Sequence, residues 1–133
     1  MNSFTKNPPL QTPYKFQKLE VYKLSLSYVQ SVYDLCKKLP EPERYNLSSQ
    51  IQRAATSITL NIAEGSTGQS DPEQHRFLGL ALRSYLETVA CLDLIENQGY
   101  LKQEETNSVR DLGHLLFIKL SAFRKALNSK GQN

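Results

Sequence analysis

The sequence predicts an all-α protein that folds as an antiparallel four-helix bundle with up-down-up-down topology. Apolar residues recur in steps of three and four along most of the chain, and no segment alternates with the period of a β-strand. The connections between the periodic segments are short, which is typical of helices that pack as antiparallel neighbours. With 133 residues and 39% hydrophobic content, the chain is long enough to build one core without disulfides or metals.

The first 15 residues contain three prolines and are predicted to form an extended arm. A helix follows from Phe16, and Pro40 and Pro42 end it. Its apolar residues form two adjacent lines. These are Leu19, Tyr22, Leu26, Val29, Tyr33 and Cys36, and Val21, Leu24, Tyr28, Val32, Leu35 and Leu39. A helix this widely apolar exceeds what one bundle covers, so we expect part of it to face another subunit.

Three further helices follow in order. The second passes through Ser48 and stops at Gly65, in the position that favours a helix-ending glycine. The third begins with Ser70 as N-cap in a capping box with Glu73, and the segment 97–99 closes it. The fourth runs from about Gln103 to Asn128. The predicted domains are therefore the arm (1–15), the bundle (16–129) and a short C-terminal tail (130–133).

A line of polar residues runs beside the apolar line of the second helix and continues onto the third. This polar seam consists of Gln50, Arg53, Ser57, Asn61, Glu64, Arg76 and Glu87. In an antiparallel pair, facing residue numbers have a constant sum, and Arg53 with Glu87 gives the same sum as Glu64 with Arg76. We therefore predict two ion pairs between these helices. Asn61 faces Gly79 at this register, which suggests a close approach of the two backbones.

The seam has two interpretations. One is structural, in which paired charges and amides fix helix register and partner choice. The other is a carboxylate active site built on Glu64 and Glu87. The structural interpretation is favoured, because an arginine beside each carboxylate would keep it ionised and poorly suited to proton transfer.

Other enzyme-like patterns are incomplete. His75 and His114 are the two histidines, and Asp111 with His114 forms a single carboxylate-x-x-His element, whereas di-iron bundles need two. The segment 65–68 resembles a phosphate-binding turn, but no lysine follows it and acidic residues occupy the next helix start. We expect no catalytic residues, no metal and no cofactor.

Several segments resemble the bacterial four-helix bundle proteins of the 23S rRNA intervening-sequence type over roughly Phe16 to Leu120. They are Phe16 to Val21, Leu39-Pro40 with Glu43 and Tyr45, Gln50 to Ile58, Asn61-Ile62-Ala63-Glu64-Gly65, and Arg76 to Glu87. The resemblance implies a ring-like homopentamer without established catalytic residues. The family is similar to the accessory variability protein of diversity-generating retroelements, a pentameric bundle that binds a reverse transcriptase and nucleic acid. The sequence departs from the family pattern at Gln69 and Gln74.

The net charge of +3 is unevenly distributed, because both ends of the chain are basic and the segment 61–100 is acidic. The predicted topology brings basic residues from both ends to one pole. They are Lys15, Lys18, Lys23, Arg124, Lys125 and Lys130. A ring would repeat this patch and favour RNA or DNA binding through avidity. Two alternatives stay open: the cations only solubilise the surface and complement helix dipoles, or the bundle is a protein-interaction scaffold without nucleic acid.

The cellular location is predicted from the two cysteines and from the absence of a long apolar segment. Cys36 and Cys91 both fall in apolar helical patterns and are expected to be small buried thiols in a reducing environment. No apolar run approaches the length of a membrane span, and the N-terminus lacks a hydrophobic signal core. We therefore expect a cytoplasmic protein with no membrane partner.

Overall fold

The computed structural model describes residues 13–68 and 70–131, with the side chains of 128–131 left aside. These residues fold as a four-helix bundle and contain no strand, which confirms the all-α fold class. The helices are α1 (Glu20–Cys36), α2 (Leu47–Gly65), α3 (Asp71–Asn97) and α4 (Gln103–Gly131). Two 3-10 helices precede α1 and α2, at Lys15–Lys18 and Glu41–Tyr45. The predicted arm lies almost wholly outside the described residues.

Helix boundaries differ from the prediction at both ends of α1. The segment that begins at Phe16 is a 3-10 helix, and the extended backbone of Leu19 (φ −68°, ψ 134°) separates it from α1. The C-terminal end of α1 is Cys36, ahead of Pro40, because the residue before a proline disfavours helical backbone. Proline then opens the 3-10 helix Glu41–Tyr45 instead of simply ending a helix.

The start of α3 agrees with the prediction in part. Ser70 caps the helix, since its Oγ accepts a hydrogen bond from the backbone N–H of Glu73 at 3.4 Å. Glu73 does not return the bond that a capping box requires. Its carboxylate instead pairs with Arg76 at 3.2 Å, one helical turn further on.

Within the described residues, each helix packs side by side with two others: α1 lies beside α2 and α4, and α3 lies beside α2 and α4. Between α1 and α2, Thr59 Oγ1 donates to Ser25 Oγ at 2.9 Å and Cys36 Sγ donates to the carbonyl of Ser48 at 3.9 Å. Residue numbers therefore fall along α2 as they rise along α1. The contacts between α3 and α4 have the same order, with Arg110 against Asp93 and Arg124 against His75.

A further buried hydrogen bond joins the side chains of Tyr28 and Thr88 in the core. Tyr28 is fully buried, and its hydroxyl lies 2.7 Å from Thr88 Oγ1. Burial raises the pKa of Tyr28 to about 12, so the hydroxyl stays protonated. Gly113 of α4 leaves room for the rings of Tyr28 and Tyr85, since a Cβ there would lie 2.7 Å and 2.9 Å from their Cε1 atoms. Both predicted buried thiols, Cys36 and Cys91, are buried and free.

Gly65 has a different role from the predicted one. It is the last residue of α2 rather than the left-handed residue beyond it, and that conformation falls at Gly68 with φ 96°. A Cβ on Gly65 would lie 2.5 Å from Cβ of Phe77 in α3. The glycine is therefore required by the close approach of α2 and α3 at the turn that joins them.

Candidate nucleic-acid interface

One end of the bundle gathers the predicted basic residues. We call it the lysine end: the 3-10 helix Lys15–Lys18, the turn 66–68 between α2 and α3, and the part of α4 around Arg124. The 3-10 helix lies against the turn, because Tyr14, Lys15 and Phe16 share a groove of about 340 Å³ with the residues of the turn. Arg124 lies at the same end, since its Nε donates to the carbonyl of His75 near the start of α3 at 3.0 Å.

Three lysines at this end, Lys15, Lys18 and Lys23, are exposed and lack an ion-pair partner among the described residues. Lys125 is also exposed. The side chain of Lys130 lies outside the described residues. Three cations of the predicted patch thus keep their charge unmatched at the surface.

Arg124 is engaged inside the bundle, unlike Lys15, Lys18 and Lys23. Its guanidinium fills the space above Gly79, where a Cβ would lie 2.8 Å from Nη2 and 2.9 Å from Cζ. The predicted close approach of the α2 backbone at Gly79 is therefore wrong, because the nearest atoms are those of the Arg124 side chain from α4. We treat Arg124 as a structural residue that ties α4 to α3.

Aromatic rings flank the lysines in the groove. The ring of Tyr14 is 64% exposed and stacks on Phe16, with centroids 6.2 Å apart and planes inclined by 11°. Phe16 in turn meets Tyr22 of α1 edge-on at 5.1 Å. Across the groove, Ser66 Oγ accepts a hydrogen bond from Gln74 Nε2 at 2.9 Å, and Thr67 Oγ1 donates to the carbonyl of Glu64 at 3.2 Å.

Two acidic residues at the lysine end are matched by a nearby cation, whereas Glu64, beside the turn, forms no ion pair within the described residues. Glu73 pairs with Arg76, whose guanidinium carbon lies 4.4 Å above the ring of Phe77. Glu20 pairs with Lys119 of α4 at 3.4 Å. These exposed pairs contribute little stability, but they leave the unmatched positive charge on the lysines before and within the first turn of α1.

The polar seam joins α2 to α3 through different partners from those predicted. Gln50 Nε2 donates to Glu87 Oε2 at 2.9 Å, and Ser84 Oγ donates to Ser57 Oγ at 2.9 Å. Asn61 bonds back to Ser57 on its own helix rather than crossing to α3. The helices predicted to be neighbours are therefore in contact, through a polar line that lies half-buried at the surface.

Both predicted ion pairs are wrong. Arg76 pairs with Glu73, three residues away on its own helix, because a local partner needs less ordering of two long side chains than a partner on α2. Glu87 accepts from Gln50 instead of Arg53. Within the described residues, Arg53 and Glu64 form no ion pair.

The geometry separates the two carboxylates of the hydrolase interpretation. Glu87 lies beside Gln50, whereas Glu64 is four turns further along α2, a distance of about 20 Å at 1.5 Å per residue. Carboxylates that act as a pair on one bond lie within about 10 Å of each other. Glu64 and Glu87 therefore cannot form one two-carboxylate site in this chain.

Among the described residues, no three His, Cys, Asp or Glu side chains are placed to hold a metal ion together. His114 stacks beside Phe117 with centroids 6.4 Å apart, and His75 lies beside Arg124. Over the same residues, every helix is too short or too polar to cross a membrane.

Sequence reasoning missed a network at the opposite end of the bundle. We call it the carboxylate end: the 3-10 helix Glu41–Tyr45, the connection between α3 and α4, and Glu96. Tyr100 Oη donates to Glu43 Oε2 at 2.6 Å, and Glu96 Oε2 accepts from Thr106 at 2.7 Å and from Arg110 at 2.7 Å. No spacing rule links these residues, which come from the 3-10 helix after α1, from α3, from α4 and from the connection between α3 and α4. The groove at the lysine end was also missed, although the interleaved aromatic and basic residues in Tyr14-Lys15-Phe16 could have indicated it.

The fold and the site define a class: a small all-α bundle with a polar α2–α3 seam and a basic end. A model of the 23S rRNA-intervening sequence protein family matches residues 17–120, and the chain belongs to this family. It is also similar to a solved structure from Bacteroides thetaiotaomicron VPI-5482, described as a protein with unknown function from the S23 ribosomal protein family. That similarity has 29% identity and a TM-score of 0.73, over 79% of this chain and 98% of the other. The comparison with curated proteins gives no match.

Proposed function

We propose that this protein is a non-enzymatic, oligomeric binding module that contacts RNA or DNA through its lysine end. The observation that carries the proposal is the set of exposed, unpaired lysines Lys15, Lys18 and Lys23. Unpaired cations on one surface suit the phosphate backbone, because each contact releases a condensed counterion. We place the protein in the cytoplasm, where such targets are found.

The proposal includes self-association into a ring of up-down-up-down bundles, and a pentamer is what the family resemblance implies. Exposed apolar side chains support it. Tyr33 and Leu60 line one groove between α1 and α2, and they are 41% and 62% exposed. Leu86 of α3 and Ile118 of α4 are 53% and 50% exposed. Apolar surfaces on two different helix pairs suit a head-to-tail contact, which closes into a ring when the rotation allows.

A ring would strengthen weak phosphate contacts. A few lysines per copy give modest affinity, but linked copies bind one strand with a high effective concentration. The likeness to the accessory variability protein makes a reverse transcriptase one candidate protein partner beside the nucleic acid.

The test is binding of fluorescein-labelled single-stranded RNA and DNA, measured by anisotropy at several salt concentrations. We expect salt-dependent binding, with a slope of log K against log salt of roughly −0.7 per phosphate contact. A triple variant with Lys15→Gln, Lys18→Gln and Lys23→Gln should bind more weakly at every salt concentration. Its slope should be shallower by about 2, since up to three contacts are lost.

The matched control removes the same charge from the other end of the bundle. Lys37, Lys38 and Lys102 are exposed there, and their triple glutamine variant has the same net charge as the first variant. It should bind nearly as the unaltered protein does. Equal weakening by both variants, or no binding by the unaltered protein even at about 50 mM salt, would overturn the proposal.

A second candidate function is a protein-interaction scaffold without nucleic acid. The groove that Tyr33 and Leu60 share with Arg53 favours it, since aromatic and arginine side chains are enriched at protein interfaces. Native mass spectrometry of Leu60→Glu tests the interface. Loss of the oligomer with unchanged thermal stability would identify this groove as a subunit contact. An unchanged oligomer would show that the groove is not a subunit contact, and it would then remain a candidate surface for a different protein.

A further inference from the structure

We propose that the groove between the 3-10 helix Lys15–Lys18 and the turn 66–68 is a pocket for one unpaired nucleotide, with the base stacked on Tyr14. This inference rests on the proposed function and specifies its ligand as single-stranded rather than duplex nucleic acid. Three independent observations carry it: an exposed and supported aromatic ring, an adjacent pair of unmatched cations, and a groove of suitable size.

The aromatic ring is preorganised. Tyr14 leaves 64% of its surface exposed, yet its ring makes an offset stack with Phe16, which meets Tyr22 of α1 edge-on. Two hydrogen bonds fix the backbone beneath it, from Tyr14 N to Gln17 Oε1 at 3.0 Å and from Gln17 N to the carbonyl of Tyr14 at 3.1 Å. A base that stacks here meets a ring already held in place, so little conformational entropy is lost on binding.

The polar groups of the groove fit a nucleotide. Lys15 lines the groove and Lys18 follows one turn later, so both can approach a phosphate. Ser66 already accepts from Gln74, which leaves its hydroxyl proton to donate. Thr67 already donates to the carbonyl of Glu64, which leaves its oxygen to accept. The wall opposite the aromatic ring therefore offers one donor and one acceptor.

The size of the groove limits the ligand. About 340 Å³ lies near the lower limit of pockets that bind small molecules, which corresponds to one nucleotide rather than a helix of paired bases. Stacking on an aromatic ring also requires a base whose face is free, as in single strands, loops and ends. A duplex can reach Lys15 and Lys18 but not the face of Tyr14.

The carboxylate end supplies a matched residue for comparison. Tyr45 is 83% exposed and lies 5.5 Å from the guanidinium carbon of Arg44, so it also combines an exposed ring with a cation. However, Tyr45 stacks on no other ring within the described part of the chain. It therefore has the composition of the proposed pocket without its support.

The first experiment introduces a fluorescent reporter at each tyrosine. The chain has no tryptophan, so Tyr14→Trp and Tyr45→Trp each give a protein with a single indole. Titration with oligouridylate should quench the emission of Tyr14→Trp by stacking and leave Tyr45→Trp nearly unchanged. A blunt-ended RNA duplex should quench neither. Equal quenching of both, or quenching of Tyr14→Trp by the duplex, would overturn the pocket.

The second experiment measures affinity for the same oligouridylate. Tyr14→Ala should weaken binding by about 5- to 100-fold, the range expected for loss of one stacked base, while Tyr14→Phe should stay within about twofold. Tyr45→Ala should have little effect. Unchanged binding by Tyr14→Ala, with the glutamine variant of Lys15, Lys18 and Lys23 still weakened, would refute the pocket and leave the proposed function standing. No binding by the unaltered protein would refute both.

Discussion

Two carboxylates at one end of the bundle are held by hydrogen-bond partners, whereas three lysines at the other end lack ion-pair partners among the described residues. At the carboxylate end, Glu43 accepts hydrogen bonds from Tyr100 Oη, Asn46 Nδ2 and the backbone N–H of Leu47, at 2.6, 2.8 and 3.3 Å. This one side chain thereby ties the α1–α2 connection to the α3–α4 connection. At the lysine end, Lys15, Lys18 and Lys23 form no ion pair within the described part of the chain. The two carboxylates of the carboxylate end therefore stabilise the fold, whereas the three lysines of the lysine end stay available to an anionic ligand.

The pKa shifts follow the same division. Hydrogen bonds from Tyr100, Leu47 and Asn46 lower the pKa of the Glu43 carboxyl, and those from Thr106 and Arg110 lower the pKa of Glu96. The hydrogen bond between Tyr100 and Glu43 also raises the pKa of Tyr100. Carboxylates with lowered pKa are held by their partners, so they contribute to folding rather than to proton transfer. A surface that must bind anions needs the opposite arrangement, with cations that no carboxylate has already neutralised.

The largest expected effect comes from closing the space between α2 and α3 at the lysine end. Gly65→Ala would place a Cβ 2.5 Å from Cβ of Phe77, an atom fixed by its own backbone. The helices must then separate, and we expect a loss of about 2–3 kcal/mol in the free energy of unfolding despite the better helix propensity of alanine. Urea unfolding followed by circular dichroism measures it. Ala63→Gly, which changes one residue of the same helix turn, should cost about 1 kcal/mol or less, and an equal loss in both variants would contradict the packing argument.

The next effect tests whether the carboxylate end contributes to stability. In Glu96→Gln, Arg110 and Thr106 lose an ionised acceptor that they contact at 2.7 Å, in a cluster whose side chains are only about a quarter exposed. We expect a loss of about 1–2 kcal/mol by the same urea measurement. Glu20→Gln breaks an exposed pair with Lys119 and should cost less than about 0.5 kcal/mol. If Glu20→Gln lowers the free energy of unfolding as much as Glu96→Gln does, then the partly buried pair is no more stabilising than the exposed one, and the argument is wrong.

The sequence predicted what depends on periodicity. The four-helix fold, the span of α2 and the Ser70 cap of α3 are confirmed, because apolar spacing and capping residues act within one segment. The contact between α2 and α3 through Gln50 and Glu87 was also within reach, since both lie on the predicted seam.

Partner choice between helices was less predictable. A long side chain reaches several positions, and Arg76 takes the local carboxylate of Glu73 rather than one on α2. Gly79 was predicted to allow a close approach of the α2 backbone, but the space above it is filled by the side chain of Arg124 from α4. The groove around Tyr14 joins residues about fifty positions apart in the sequence, and no local pattern contains both of its walls.

The pH dependence of the melting temperature should depend on the carboxylate end and not on the lysine end, because Glu43 and Glu96 have lowered pKa values. A carboxyl group with a lowered folded pKa contributes stability that is complete above its ordinary value of 4.5 and is lost as the pH falls through the folded value. The melting temperature should therefore fall below about pH 4.5, and less steeply in Glu43→Gln, which has no charge to lose. Lys15→Gln, at the other end, should keep the full acid dependence. Identical acid curves for Glu43→Gln and the unaltered protein would show that this carboxylate contributes nothing to the pH dependence.

The smallest expected change completes the contrast. The triple glutamine variant of Lys15, Lys18 and Lys23 should unfold within about 0.5 kcal/mol of the unaltered protein, because exposed side chains without partners contribute little to folding. Differential scanning calorimetry at low and at high salt measures it. A slight stabilisation at low salt would fit, since neighbouring like charges repel and salt screens that repulsion. A loss comparable to that of Glu96→Gln would mean that the lysines hold the structure together. The lysine end would then be a structural element, and weaker nucleic-acid binding by the same variant would report unfolding rather than lost contacts.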